Sequence, residues 1–247
     1  MVDKPLAWTS FDVVRKLCFH LSRRLGIKKI KIGHAGTLDP LATGLLLICV
    51  GDYTKRIESL QGMSKTYTGT ITFGATTPSF DLEKAIDATF PTAHLTDALL
   101  QEALPQFIGD IQQLPPIFSA VKVDGRRLYK NARTGEEVEV PWRTVRVERY
   151  ELGPLRPVQN DRTDPVKANA TAKNSPIMLY PDYAEGVQCD FLITCGKGTY
   201  VRSLANDIGQ AVGSGAYLSS LRRTASDVFL AEDAWNIQQL TDWISSP

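Results

Sequence analysis

One short stretch constrains this chain more than any other. Gly33-His34-Ala35-Gly36-Thr37-Leu38-Asp39-Pro40 is rich in turn formers, and Leu45 to Val50 just beyond it is apolar without a break. Such a run suits a buried strand, so the turn-rich loop opens against the core. It is also far short of the ~20 apolar residues that cross a bilayer. With no apolar signal-peptide stretch at the N-terminus, the expectation is a cytoplasmic protein without a membrane anchor.

Periodicity places the other elements. Ser10 is expected to cap a helix whose apolar positions Val14, Leu17, Leu21 and Leu25 recur at helical spacing, which Gly26 ends, and whose opposite face is basic. From Thr66 to Phe73 threonines alternate with Tyr67, Gly69, Ile71 and Phe73, a strand pattern that puts Tyr67 on the face of Ile71 and Phe73. Thr96 starts a helix through Leu99, Leu100 and Ala103, and Pro105 stops it. Strands are expected around Ile117 to Val123, Val138 to Val140, Val145 to Val147 and Val187 to Cys195. Gly196-Lys197-Gly198 then turns into a helix from Tyr200 to Val212, with Arg202 in its first turn. Because the elements mix without regular βαβ alternation, the expected class is α+β, with a central, largely antiparallel mixed sheet and flanking helices. Arg156 to Asp182, rich in Pro, Asn, Asp and Lys, reads as a long surface insertion.

Composition removes several function classes. With 28 Lys+Arg against 27 Asp+Glu the chain is no wholesale basic binder, and 43% apolar residues argue against disorder. Four cysteines without CxxC spacing and only three histidines argue against a structural zinc, so Cys18, Cys49, Cys189 and Cys195 are expected as reduced thiols. Charge is uneven, however. Arg15 to Lys31 holds seven basic residues and no acid, and Arg126, Arg127, Lys130 and Arg133 form a second cluster. Together they suit a polyanion such as nucleic acid.

Taken singly, the candidate chemical groups are ambiguous. Asp39 before Pro40 is either a turn former or a catalytic carboxylate. His34 could be a hydrogen-bonded turn residue, Tyr67 a core aromatic and Arg202 a surface cation. The loop lacks the Gly-Lys-Ser/Thr ending of a P-loop and has no Cys or Ser nucleophile beside it, which disfavours phosphoryl transfer and a triad.

The loop in full, Gly33-His34-Ala35-Gly36-Thr37-Leu38-Asp39-Pro40-Leu41-Ala42-Thr43-Gly44, resembles the catalytic motif of the bacterial TruB family, the tRNA pseudouridine-55 synthases. Further blocks agree in family order: Asp3-Lys4-Pro5 with Trp8-Thr9-Ser10, Ser64-Lys65-Thr66-Tyr67, Pro115 to Gly125, Gly198 to Leu204, and Leu221-Arg222-Arg223-Thr224. Six blocks in one order cover nearly the whole chain. The resemblance implies a pseudouridine synthase fold and isomerisation of uridine to pseudouridine in the T-arm of tRNA, with neither metal nor organic cofactor. It makes Asp39 the catalytic carboxylate and Arg202 its directing partner, and gives Tyr67 stacking on the base and a proton-transfer role. Tyr200 and Leu221 would line the uracil pocket, His34 would insert into the RNA, and Lys4 would lie at the rim.

One catalytic domain over residues 1–247 is expected, since the chain stops soon after Trp243 and leaves no room for the separate C-terminal RNA-binding module of many relatives; the expected partner is the T-arm stem-loop of tRNA, with no membrane and no obligatory protein partner. The rival readings are a non-catalytic RNA-binding or tRNA-folding module and a related synthase acting on another RNA or in a guide-RNA complex. Asp39, Tyr67 and Arg202 together argue against the first, and the compact chain against the second. Two departures stand out: Ala7 replaces the family's usual Gly, and Pro78 to Phe80 replaces a more acidic stretch.

Overall fold

The computed structural model describes residues 1–116, 122–123, 126–127, 140–159, 163–167 and 177–246. The principal elements in chain order are β1 (Val2–Lys4), α1 (Ser10–Leu25), β2 (Ile32–His34), β3 (Ala42–Leu46), β4 (Ile48–Val50), α2 (Ile57–Gly62), β5 (Lys65–Phe73), α3 (Asp97–Ala103), β6 (Gly109–Gln113), β7 (Arg143–Leu152), β8 (Val187–Cys195), α4 (Val201–Ala211), β9 (Ala216–Ser226), β10 (Trp235–Asn236) and α5 (Ile237–Ser245). The class is α+β with a large mixed sheet, as expected. The chain divides into two compact units, and strands β5 and β9 run from one into the other.

The first unit comprises residues 1–68, Ile177 and 221–246. Its strand order is β10-β1-β3-β9-β5, with β1 antiparallel to β3 and parallel to β10, and β9 parallel to β3. The apolar faces of α1 and α5 supply its core: Val13, Leu17, Ile237 and Ile244 pack with Val2 and Leu46. Burial of such side chains is what holds the helices to the sheet.

Helix α1 differs from expectation at both ends. Its N-cap is Thr9, not Ser10: the Thr9 hydroxyl accepts from the Asp12 N–H at 3.0 Å while the Asp12 carboxylate accepts from the Thr9 N–H at 2.9 Å, a reciprocal capping box. Ser10, freed of capping, is buried and bonds elsewhere. Leu25 is exposed and Val13 takes its place in the core; Gly26 ends the helix in the left-handed region, as expected.

The apolar run Leu45 to Val50 is two strands, not one. Residues up to Leu46 pair with β1, whereas Ile48–Val50 pairs antiparallel with β2. At the break, the Leu47 carbonyl accepts from the Ala35 N–H at 2.9 Å. The switch of partner ties the start of the turn-rich loop to the core.

The second unit comprises the described residues within 69–167 and 178–220. Its order is β9-β5-β8-β7-β6, with β7 antiparallel to both β8 and β6. Phe191, Ile193 and Cys195 alternate inward on β8, and Leu204, Ala205 and Ile208 of α4 are buried. Thr96 caps α3 through the Leu99 N–H at 3.2 Å. The stretch read as a surface insertion is partly built into structure: Arg156–Pro157 pairs with Val187 and Gln188, and Val166–Lys167 with Met178–Leu179. Residues 160–162 and 168–176 of that stretch lie outside the described residues, as do 117–121, 138–139, Lys130 and Arg133. The cysteines are free thiols, three buried and Cys18 half-buried. Among the described residues no helix is long and apolar enough to cross a membrane, and no cluster of His, Cys, Asp or Glu could hold a metal.

Candidate active site

Five of the seven candidate residues, Lys4, His34, Asp39, Tyr67 and Leu221, belong to the first unit; Tyr200 and Arg202 belong to the second. The Asp39 loop runs from β2 to β3. Its last turn closes through the Ala42 N–H, which donates to the Asp39 carbonyl at 3.1 Å. The Ser10 hydroxyl accepts from the Leu38 N–H at 2.9 Å and donates to the Leu38 carbonyl at 3.2 Å. The residue before Asp39 is thereby pinned to α1. On the other side, the Ala7 N–H donates to the Pro40 carbonyl at 2.9 Å, from a backbone held at φ 64°.

Three cations buried around this loop were not foreseen as a group. Lys4 is 0% exposed, and its Nζ donates to the carbonyls of Trp8 at 2.6 Å, Pro5 at 3.0 Å and Pro40 at 3.4 Å. Expected at the rim, it instead supports the loop from within. Burial pulls its ammonium down to about 7, against the opposing attraction of Asp39 and with the help of Arg223. Arg223 is 2% exposed; its Nε donates to the Leu45 carbonyl at 2.7 Å and an Nη to the Gly36 carbonyl at 3.1 Å. Lys65, also buried, donates from Nζ to the carbonyls of Gln61 and Met63. The carboxylate-bearing loop is thus surrounded by three buried basic side chains.

Strand register sets the neighbours. Leu221 stands opposite Ala42, three residues past Asp39, in the parallel pair of β9 and β3. Gly44, opposite Arg223, has φ +99°, and a Cβ there would meet the Arg223 carbonyl oxygen at 2.3 Å, so only glycine fits. Tyr67 is buried on β5, whose Thr66 carbonyl accepts from the Thr224 hydroxyl at 3.2 Å. His34 is half-buried at the end of β2, and burial holds its imidazole below the ordinary range.

In the second unit Arg202 is 3% exposed rather than a surface residue. Its Nη donates to the Ser79 carbonyl at 2.9 Å and lies 3.6 Å from the Asp81 carboxylate, itself buried. Asp81 follows the departing Pro78 to Phe80 stretch, where Phe80 takes φ 59° and its carbonyl accepts from the Leu218 N–H at 3.0 Å. Tyr200 is the N-cap of α4, and its backbone is clamped by Gln113, whose Oε1 accepts at 2.8 Å and Nε2 donates at 3.0 Å.

Residues 23–201 match the family described as TruB family pseudouridylate synthase (N terminal domain), and residues 202–246 match tRNA pseudouridylate synthase B C-terminal domain. The chain belongs to the TruB family. Among TruB relatives, the tRNA pseudouridine synthase B of Phocaeicola vulgatus is 48% identical over 98% of this chain and 91% of its own length. That of Flavobacterium johnsoniae is 49% identical over 91% and 86%. A chain in the crystal structure of a Cbf5-Nop10-Gar1 complex superposes with TM-score 0.62 at 25% identity, over 98% of this TruB chain and 53% of that one. A structure titled H/ACA RNP bound to a substrate RNA containing 2′-deoxyuridine gives TM-score 0.58 at 23% identity and shows the shared fold. This chain spans about half the length of each.

Proposed function

We propose that this protein isomerises uridine to pseudouridine in tRNA, at position 55 of the T-arm, with Asp39 as the catalytic carboxylate. The observation that carries the reading is the construction around Asp39 in a TruB-family chain: a loop braced by Ser10 and Ala7 and backed by buried Lys4, Lys65 and Arg223.

The reaction breaks the bond from ribose C1′ to N1, turns the base, joins C1′ to C5, and moves the C5 proton away while N1 gains one. A carboxylate can serve by attacking the sugar or by promoting cleavage and proton removal. A uridine inside a folded loop must first leave its stack, at a cost of a few kcal/mol. His34 enters the space the base vacates. Tyr67 stacks on the base and takes part in proton transfer, Leu221 and Tyr200 line its pocket, and Arg202 directs the carboxylate. Lys4 acts through the Pro40 carbonyl rather than by touching RNA.

Purified protein incubated with an unmodified tRNA transcript, followed by carbodiimide treatment and primer extension, tests the reading. The expected result is a new stop at position 55. Folded protein that binds the transcript and gives no stop there would contradict it.

A further inference from the structure

The outward face of α1 carries a row of side chains that packing does not explain. Phe11, Arg15, Phe19 and Arg23 follow at intervals of four residues and so stand in one line along the helix. Phe11 is 66% and Phe19 55% exposed, and the Arg15 side chain is 68% exposed. The Arg23 guanidinium carbon lies 5.4 Å from the Phe19 ring centroid, and Lys16 Nζ lies 5.6 Å from that of Trp8. Ala7, Trp8, Asp12, Arg15, Lys16 and Phe19 line an open groove of about 330 Å³. Its acidic member is committed: the Asp12 carboxylate accepts from the Thr9 N–H and hydroxyl and from Arg15 at 2.8 Å. One lining residue, Ala7, donates its N–H to the carbonyl of Pro40, the residue after Asp39.

We propose that this groove is a second nucleotide-binding site, which holds a splayed nucleotide of the tRNA other than the target uridine. Its base lies against Trp8 and Phe19, and its phosphate draws Arg15 from Asp12 and Lys16 from Gln238. Aromatic faces interleaved with cations are the chemistry of unpaired RNA, since every base offers a π-face and every linkage a negative charge. The flanking cations also favour a polyanion over an apolar peptide. The site rests on the synthase reading but is separate from the Asp39 loop.

The test is equilibrium binding of a labelled, unmodified tRNA transcript to wild type, Phe19→Ala, Phe19→Trp and Arg15→Glu. Phe19→Ala is expected to weaken binding about tenfold, the scale of one lost base stack, whereas Phe19→Trp keeps it. Arg15→Glu weakens binding and lowers the salt dependence by about one phosphate contact. Because the side chains are exposed, unfolding midpoints should not move. Kd values equal to wild type in both Phe19→Ala and Arg15→Glu would overturn the proposal. So would unchanged RNA binding with a dimer dispersed by Phe19→Ala, which would give the groove to a second copy of the chain. Pseudouridine formation by wild type is scored separately: its absence counts against the catalytic reading, while its presence alongside unaltered Kd values counts against the groove alone.

Discussion

Ser10 and Leu38 are joined by two hydrogen bonds, the serine hydroxyl accepting from the Leu38 N–H and donating to its carbonyl, with both groups buried. This places the helix start and the residue before Asp39 on one frame. Ser10→Ala leaves both Leu38 groups without that partner, at a cost of about 1–3 kcal/mol. The loosened loop should lower the single-turnover rate by about 10- to 100-fold, since small misplacements of a reacting group are expensive. Urea unfolding and rapid-quench pseudouridine assays measure both effects. Unchanged values in each would separate Leu38 from the reaction.

Ala7 sits at φ 64°, where a Cβ is strained and glycine is not. The Ala7→Gly variant should gain about 1 kcal/mol and raise the melting midpoint by about 2–4 °C. A lower midpoint would mean that unfolded-chain entropy outweighs the relief of strain.

Lys4 makes stability depend on pH in a defined direction. Its folded value of about 7 lies below the ordinary 10.5, so its contribution is complete above the ordinary value and is lost as pH falls towards 7. From pH 7 to pH 9 wild type should therefore gain about 1–2 kcal/mol relative to Lys4→Met, in which that group is absent. Denaturant titrations at the two pH values supply the comparison, and parallel pH profiles would contradict it.

Asp207 on α4 gives the opposite slope. Burial raises its carboxyl to about 6, so the stability present below its ordinary 3.8 is lost as pH rises through 6. Asp207→Asn stays neutral, and should be more stable than wild type by about 2 kcal/mol at pH 8 and equal to it at pH 4. Calorimetry at both pH values decides the matter.

Periodic segments were readable because alternation reports burial: β8 and β5 appear where Val187 to Cys195 and Thr66 to Phe73 alternate. Leu45 to Val50 was read as one strand because an unbroken apolar run carries no period, so nothing in it marks the change of partner at Leu47. The motif supplied the candidate chemical residues, but the packing of the cations around their loop was not legible. Lys4, Lys65 and Arg223 are charged side chains, which by composition belong at the surface; Arg223 is buried against the carbonyls of Leu45 and Gly36, distant in sequence, whereas Lys65 bonds the nearby carbonyls of Gln61 and Met63, and Lys4 those of Pro5 and Trp8 as well as the distant Pro40. Asp81 and Arg202, 3.6 Å apart, are likewise distant along the chain, with no local pattern linking them. Ser10 was one position off, since Thr9 and Ser10 are both good caps and the capping box through Asp12 chose between them.

The central claim is that the Asp39 carboxylate carries the chemistry while the rest of the site binds and orients the RNA. Single-turnover pseudouridine formation by Asp39→Asn, with tRNA binding measured on the same preparation, tests it most directly. The account predicts no detectable pseudouridine and a Kd within a small factor of wild type; an Asp39→Asn protein that forms pseudouridine at a rate near wild type would contradict it.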